Sequence, residues 1–158
     1  LIKAVIGEFA IYDLVEACIT ELGPLATSRQ TEIKNNTQTN LKIKADNHLL
    51  SRVLLNILDN AIKFNRGEAI EVFSEVRENT AVISVKDHGP GIDEEQLATV
   101  FQRFGGGSTN KFSGGTGLCL YLCRQLIDLM KGTICCESEE GKGSVFKLCL
   151  PLAANKHE

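Results

Sequence analysis

This sequence predicts a two-layer α/β sandwich, a layer of helices packed on an antiparallel-rich sheet, and three observations lead there. Three stretches have helical length and apolar residues at helical spacing, each bounded by a capping or stopping residue. Two pairs of alternating segments flank short turns, the pattern of β-hairpins. The chain has 158 residues, 43% apolar and 23% charged, the size and balance of one compact soluble domain spanning 1–158.

Taken in order, Asp13 is placed to cap a first helix running to about Ser28, and TEIKNN around Ile33 reads as a short polar strand. Asp46 caps a second helix, HLLSRVLLNILDNAIKF, that ends near Asn65 and Gly67. AIEVFSEV and AVISVKD form a hairpin turning at Glu78 and Asn79, and Gly89 and Gly91 break its second strand. Residues 105–117 are dense in Gly, Ser, Thr and Asn and read as a mobile loop. TGLCLYLCRQLIDLM then has the length and spacing of a third helix, stopped by Gly132, and TICCES and SVFKLCL close the chain as a hairpin around EEGKG. No internal repeat interrupts this order.

Composition excludes some functions. Seventeen basic and twenty acidic residues leave a formal charge of -3, so no electrostatic drive toward nucleic acid or an anionic membrane is expected. No apolar run approaches the ~20 residues of a membrane helix, and no secretion signal opens the chain. A start at Leu1 rather than methionine suggests a segment of a longer coding sequence. Cysteines 18, 119, 123, 135, 136 and 149 fall in apolar periodic segments, which points to buried thiols rather than disulfides. Cys119 and Cys123 share a helical face as two metal ligands would, but no nearby histidine completes a zinc site.

Three pieces carry candidate chemistry. Asn56, Asn60 and Lys63 stand at i, i+4 and i+7 on the second helix, opposite Val53, Leu54, Ile57, Leu58 and Ala61. Two carboxamide oxygens one turn apart suit a hard cation such as magnesium, and a lysine one turn on suits phosphate. Asp87 ends a strand before Gly89 and Gly91, where a buried carboxylate could accept a hydrogen bond from an exocyclic amine such as adenine's. Gly114, Gly115 and Gly117 precede a helix, an arrangement that binds phosphate through bare N–H groups. Each piece alone has a plainer reading: a solvated helix face, a capped glycine turn, an ordinary loop. Gly141-Lys142-Gly143-Ser144 lacks the first glycine of a P-loop, and the catalytic loop of Ser/Thr protein kinases is absent.

Order and spacing decide between these readings. NILDNAIKF, DHGPGI, FQRF and GGTGLCL, in that order, resemble the N box, first glycine box, F box and second glycine box of histidine-kinase catalytic domains. These domains belong to the GHKL superfamily of ATPases with gyrase and MutL. The resemblance runs from about Phe9 to Leu150 and implies a Bergerat-type fold, a mixed sheet against about three helices. It implies that Asn56 and Asn60 hold Mg2+ and that Lys63 approaches the phosphates of ATP. The catalytic candidates are Asn56, Lys63 and Arg103, and the sequence does not choose between Arg103 and Lys63 as the residue that stabilises charge on the transferring group. Asp87 would take the adenine amine in a pocket shaped by Gly89, Gly91 and Ile92. Phe101 and Phe104 would anchor a lid over the nucleotide, spanning about 88–116, whose far hinge beside the phosphates is Gly115, Thr116, Gly117 and Leu118.

The implied activity is transfer of the γ-phosphate to a histidine on a separate helical dimerisation domain of the same kinase, for relay to a response-regulator receiver domain. ATP and ADP are the implied ligands. The implied setting is cytoplasmic, as a free protein or the cytosolic part of a membrane-anchored receptor, with no nucleic acid and no direct membrane contact. His48, His88 and His157 all lack the family's phosphoacceptor context, so autophosphorylation requires a segment outside this chain. The family also reads Gly-Leu-Gly-Leu where this chain has Gly117-Leu118-Cys119-Leu120. A thiol at a helix N-terminus is a candidate redox-sensitive position, although a tolerated small substitution is the simpler account. The alternatives are a serine kinase of the anti-sigma type and a degenerate module that signals without catalysis; Lys63-Phe64 and FQRF favour the histidine kinase over the first.

Overall fold

The computed structural model describes residues 2–103 and 119–153. In chain order these form β1 (Gly7–Ala10), α1 (Ile11–Glu21), α2 (Gly23–Ser28), β2 (Ile33–Asn36), β3 (Lys42–Ala45), α3 (Asn47–Phe64), β4 (Ile70–Arg77), β5 (Thr80–Asp87), α4 (Glu94–Leu97), α5 (Cys119–Leu129), β6 (Thr133–Glu139) and β7 (Gly143–Pro151). A five-stranded sheet has the order β2-β4-β5-β7-β6. Its β2 and β4 are parallel and every other pair is antiparallel. The expected mixed, mostly antiparallel sheet is therefore present, with α1, α3 and α5 as its long helices.

One face of the sheet makes the core. Ala81, Ile83 and Val85 of β5, with Phe146, Leu148 and Leu150 of β7, pack beneath α3, whose Leu50, Val53, Leu54, Ile57, Leu58, Ala61 and Ile62 are buried. The five apolar residues expected to face inward from α3 all do. Asp46 caps this helix as its position suggests. One carboxylate oxygen accepts from Leu49 N at 3.0 Å and the other from Val5 N at 2.7 Å, which pins the N-terminal segment to the helix start.

The first helix departs from expectation. Asp13 is not its cap: α1 begins at Ile11, directly after β1, with Ala10 in the cap position and no side-chain cap bond. The reason is that Leu41 O accepts the leading N–H of Ile11 at 3.1 Å, so tertiary structure supplies the acceptor. Asp13 instead sits in the first turn, where its charge opposes the positive end of the helix dipole. The helix is also two pieces, because Pro24 cannot donate a mid-helix hydrogen bond and starts α2. Strands β1 and β3, which pair antiparallel as a separate two-stranded sheet, were not expected from the sequence.

Both hairpins turn where expected. Arg77 pairs with Thr80 across Glu78 and Asn79, Glu78 having φ 56°, and Glu139 pairs with Gly143. The cysteines divide. Cys18 and Cys123 are buried, but Cys135 is exposed because it points outward from the edge strand β6, while Cys136 and Cys149 are half-buried. All five are free thiols. Burial, aided by the neighbouring Asp87 carboxylate, pushes the Cys136 thiol up to about 12, so it carries no thiolate chemistry at neutral pH.

Asp46→Ala removes both the helix cap and the tether to Val5. Stability to denaturant should fall by about 1–2 kcal/mol, whereas Asp13→Ala should change it by a few tenths; equal losses would restore Asp13 as the cap.

Candidate functional site

The polar stripe of α3 forms as its spacing requires: Asn56 and Asn60 are half-buried and Lys63 is exposed. Asn56 Nδ2 donates to the buried Sγ of Cys123 on α5 at 3.7 Å, within reach for sulfur. That bond uses the nitrogen side of the carboxamide and leaves its oxygen for another partner. Lys63 Nζ lies 3.0 Å from Asp59 Oδ2 one turn back, an i,i+4 pair that steadies the ammonium near the end of the helix. Among the described residues no cluster of three or more His, Cys, Asp or Glu could hold a metal. A cation here would rest on carboxamide oxygens and on oxygens that arrive with its ligand.

Asp87 ends β5 with its side chain buried. Its Oδ1 accepts from Gly89 N at 2.9 Å and Ser144 N at 3.3 Å; both bonds fall on one oxygen, and Oδ2 makes none among the described residues. Burial raises the carboxyl pKa above its ordinary value, and the two amide donors and His88 only partly offset that. The result is an acceptor under a low-dielectric roof with one oxygen in reserve.

The turn after Asp87 is packed so closely that side chains are excluded. A Cβ on Gly89 would stand 2.5 Å from the carbonyl oxygen of Phe64, the last residue of α3. Gly91 has φ 77°, and a Cβ there would overlap the Glu139 carbonyl, just as one on Gly143 would overlap the Asp87 carbonyl. Hydrogen bonds fasten the same turn: His88 N donates to Asn65 Oδ1 at 2.7 Å, Gly141 N to Pro90 O at 2.6 Å, and Ile92 N to Ser138 Oγ at 2.7 Å. Thus Gly89, Gly91 and the buried Ile92 stand together with Asp87, and the end of α3 abuts them. The stretch from His88 to Ile92, where the expected lid would start, is tied to the sheet and to α3.

Beyond it, α4 is capped by Asp93, whose carboxylate accepts from Gln96 N at 2.7 Å. Phe101 meets Phe146 edge to face, with centroids 6.1 Å apart at 89°, which anchors this arm on β7. Arg103 is exposed at its end. Phe104, Gly115, Thr116, Gly117 and Leu118 lie outside the described residues, as does the side chain of Cys119, where α5 begins. Sequence reasoning missed Asp59, Asn65, Ser138, Ser144 and Cys123 as site residues. Only Asp59 had a local signal, its i,i+4 relation to Lys63; the others act through tertiary contacts.

The raised pKa of Asp87 carries a stability consequence. The neutral acid is favoured in the fold, so the cost of the buried carboxylate is absent below the unfolded-state pKa and complete once pH has risen past the elevated folded value. Asp87→Asn, which keeps an oxygen for Gly89 N and Ser144 N, should raise the melting temperature at pH 7 by a margin that vanishes in acid. Thermal melts across pH check this; a variant less stable than wild type at pH 7 would contradict it.

Residues 45–154 match the family model described as histidine kinase-, DNA gyrase B- and HSP90-like ATPase. The chain is 32% identical over 149 residues to the circadian input-output histidine kinase CikA of Synechocystis sp., covering 90% of this chain and 20% of that protein. It is 33% identical over 153 residues to the sensor protein GacS of Pseudomonas syringae, covering 91% of this chain and 17% of that protein. It therefore spans about a fifth of the length of these relatives. Among solved structures, the nucleotide-free catalytic domain of histidine kinase ThkA superposes with TM-score 0.81 at 28% identity, covering 93% of this chain and 97% of that one. Full-length ShkA in complex with AMPPNP gives TM-score 0.85 at 26% identity, covering 98% of this chain and 32% of that one. With a family match over most of its length and a fold shared with a whole kinase catalytic domain, this chain belongs to the histidine kinase-, DNA gyrase B- and HSP90-like ATPase family and has the fold of a sensor histidine kinase catalytic domain.

Proposed function

We propose that this chain binds ATP with Mg2+ and presents the γ-phosphate to a histidine on a helical dimerisation domain of the same kinase, for relay to a response-regulator receiver domain. One observation carries the reading. The buried Asp87 carboxylate, whose Oδ2 makes no bond among the described residues, sits at a turn packed against the end of the helix that bears Asn56, Asn60 and Lys63. A base-reading acceptor and a cation- and phosphate-reading stripe are thereby parts of one rigid junction.

Each residue then has a role. Asp87 accepts from the exocyclic amine of adenine, and Gly89, Gly91 and Ile92 form the surface beside it. Asn56 and Asn60 would hold magnesium through their carboxamide oxygens, consistent with the Asn56 nitrogen being engaged by Cys123. When bound, the ion supplies positive charge against phosphate oxygens. Lys63, steadied by Asp59, and Arg103 supply further positive charge near the transferring group. The phosphoryl acceptor is proposed to lie outside this chain: of the described histidines, His88 has its amide bound to Asn65 and its ring 3.9 Å from Glu68, and His48 occupies the first turn of α3, while His157 lies outside the described residues. Phe101 on Phe146 would be the near anchor of the proposed lid; Phe104 and residues 115–118, which the family resemblance assigns to it, lie outside the described residues. No helix among the described residues is long and apolar enough to cross a membrane; the cytoplasm, where ATP is abundant, is the proposed setting.

Calorimetry with ADP tests the ligand set. Binding should strengthen with magnesium, and Asn56→Ala should weaken the magnesium-dependent part by about ten- to a hundredfold; affinity indifferent to magnesium would remove Asn56 and Asn60 from the role. With γ-labelled ATP, the chain alone should gain no acid-labile phosphate, and a helical domain carrying the acceptor histidine should gain it when mixed with the chain. Label on the chain alone would overturn the assignment.

A further inference from the structure

The pairing of β6 with β7 places Ser138 opposite Ser144, and Ser144 in turn lies opposite Asp87 on β5. Ser138 Oγ has three neighbours within hydrogen-bond distance: Ile92 N at 2.7 Å, Ser144 Oγ at 2.8 Å and Gly143 O at 3.0 Å. A hydroxyl has one proton and two acceptor lone pairs. Ile92 N can only donate and Gly143 O can only accept. All three contacts are hydrogen bonds in one arrangement alone: Ser138 donates to Gly143 O and accepts from both Ile92 N and the Ser144 hydroxyl. The proton of Ser144 is thereby committed toward Ser138, and what its oxygen offers elsewhere is acceptor capacity only.

We infer that Ser138 is a positioning residue for base selection, which fixes the Ser144 hydroxyl as an acceptor beside the Asp87 carboxylate so that these two side chains present acceptors and Ser144 offers no rotatable donor. The inference rests on the reading of Asp87 as the base-binding residue. A pair of acceptors is satisfied by the exocyclic amine of adenine, directly or through a water that donates to both. Guanine brings a carbonyl oxygen to the same position and leaves acceptor facing acceptor. A site whose buried polar groups go unpaired with the wrong ligand discriminates strongly against it. If Ser144 could turn its proton into the pocket, it would donate to that carbonyl and the discrimination would soften. Ser138 prevents the turn without touching the nucleotide.

The test compares ADP and GDP affinities, with magnesium, for wild type, Ser138→Ala, Ser138→Thr, Ser144→Ala and the Ser138→Ala/Ser144→Ala double variant. Wild type should prefer ADP. Ser138→Ala should narrow the ADP-to-GDP ratio by about tenfold, the scale of one hydrogen bond, with a gain in GDP affinity, and Ser138→Thr should restore the wild-type ratio. In the double variant no hydroxyl is left to turn, so the gain for GDP should disappear, a non-additivity that a disturbed Ile92 turn would not produce. If Ser138→Ala does not fold, Ser138→Cys, a weaker acceptor of similar shape, should narrow the ratio in the same direction. Equal losses for both nucleotides, or an unchanged ratio in a folded variant, would overturn the inference. Wild type that binds neither nucleotide would overturn the reading of Asp87 and this inference with it.

Discussion

The close approach of backbone at Gly89 is the constraint on which the rest of the site depends. The carbonyl of Phe64 occupies the space that any side chain at position 89 would need, so the end of α3 and the end of β5 are locked in contact. Because α3 is one continuous helix from Asn47 to Phe64, fixing its last residue also fixes Asn60 and Asn56 one and two turns back. The buried carboxylate of Asp87, two residues before Gly89, is placed by the same contact. A single packing event thus sets the relation between the Asp87 carboxylate, proposed to read the base, and the polar stripe of α3, proposed to read the phosphates.

Around this junction the hairpin of β6 and β7 acts as a buttress. Gly141, Ser138 and Ser144 each bond the turn or Asp87, and Gly91 and Gly143 lack the Cβ that would force the segments apart. Polar groups buried this densely stabilise one arrangement only if all are satisfied. Most are, through Asn65, Ser138 and Ser144. At Asp87 one oxygen accepts both bonds while Oδ2 makes none among the described residues, and burial raises the carboxyl pKa. Burial disfavours the ionised form of this carboxyl, and a shift of that kind in a polar turn marks Asp87 as a candidate binding group.

Much of this was legible in the sequence, for reasons that can be stated. The helix from Asp46, the two hairpins and the inward face of α3 follow from capping and periodicity, which are local. Asp87 and its glycines were legible as a unit because strand end, acid and glycine pair are adjacent. Strands β1 and β3 were not, since four-residue strands of mixed polarity carry no periodicity and exist through pairing across more than thirty residues. Asp13 misled for a related reason: the acceptor for the start of α1 comes from Leu41, far along the chain. Ser138 and Ser144 could not be singled out before the register of β6, β7 and β5 was known, and Cys123 gains a role only where α5 crosses α3 beside Asn56.

The central claim is that the Asp87 carboxylate is the group that receives the nucleotide base. Carbon-13 detection of the aspartate side-chain carboxyls, titrated over pH with and without ADP and magnesium, tests it most directly, with Asp87 identified by its absence in Asp87→Asn. The account predicts an elevated pKa in the empty chain and a fall when ADP binds, because a donated hydrogen bond favours the ionised form. An Asp87 signal whose titration is the same with nucleotide bound would contradict it.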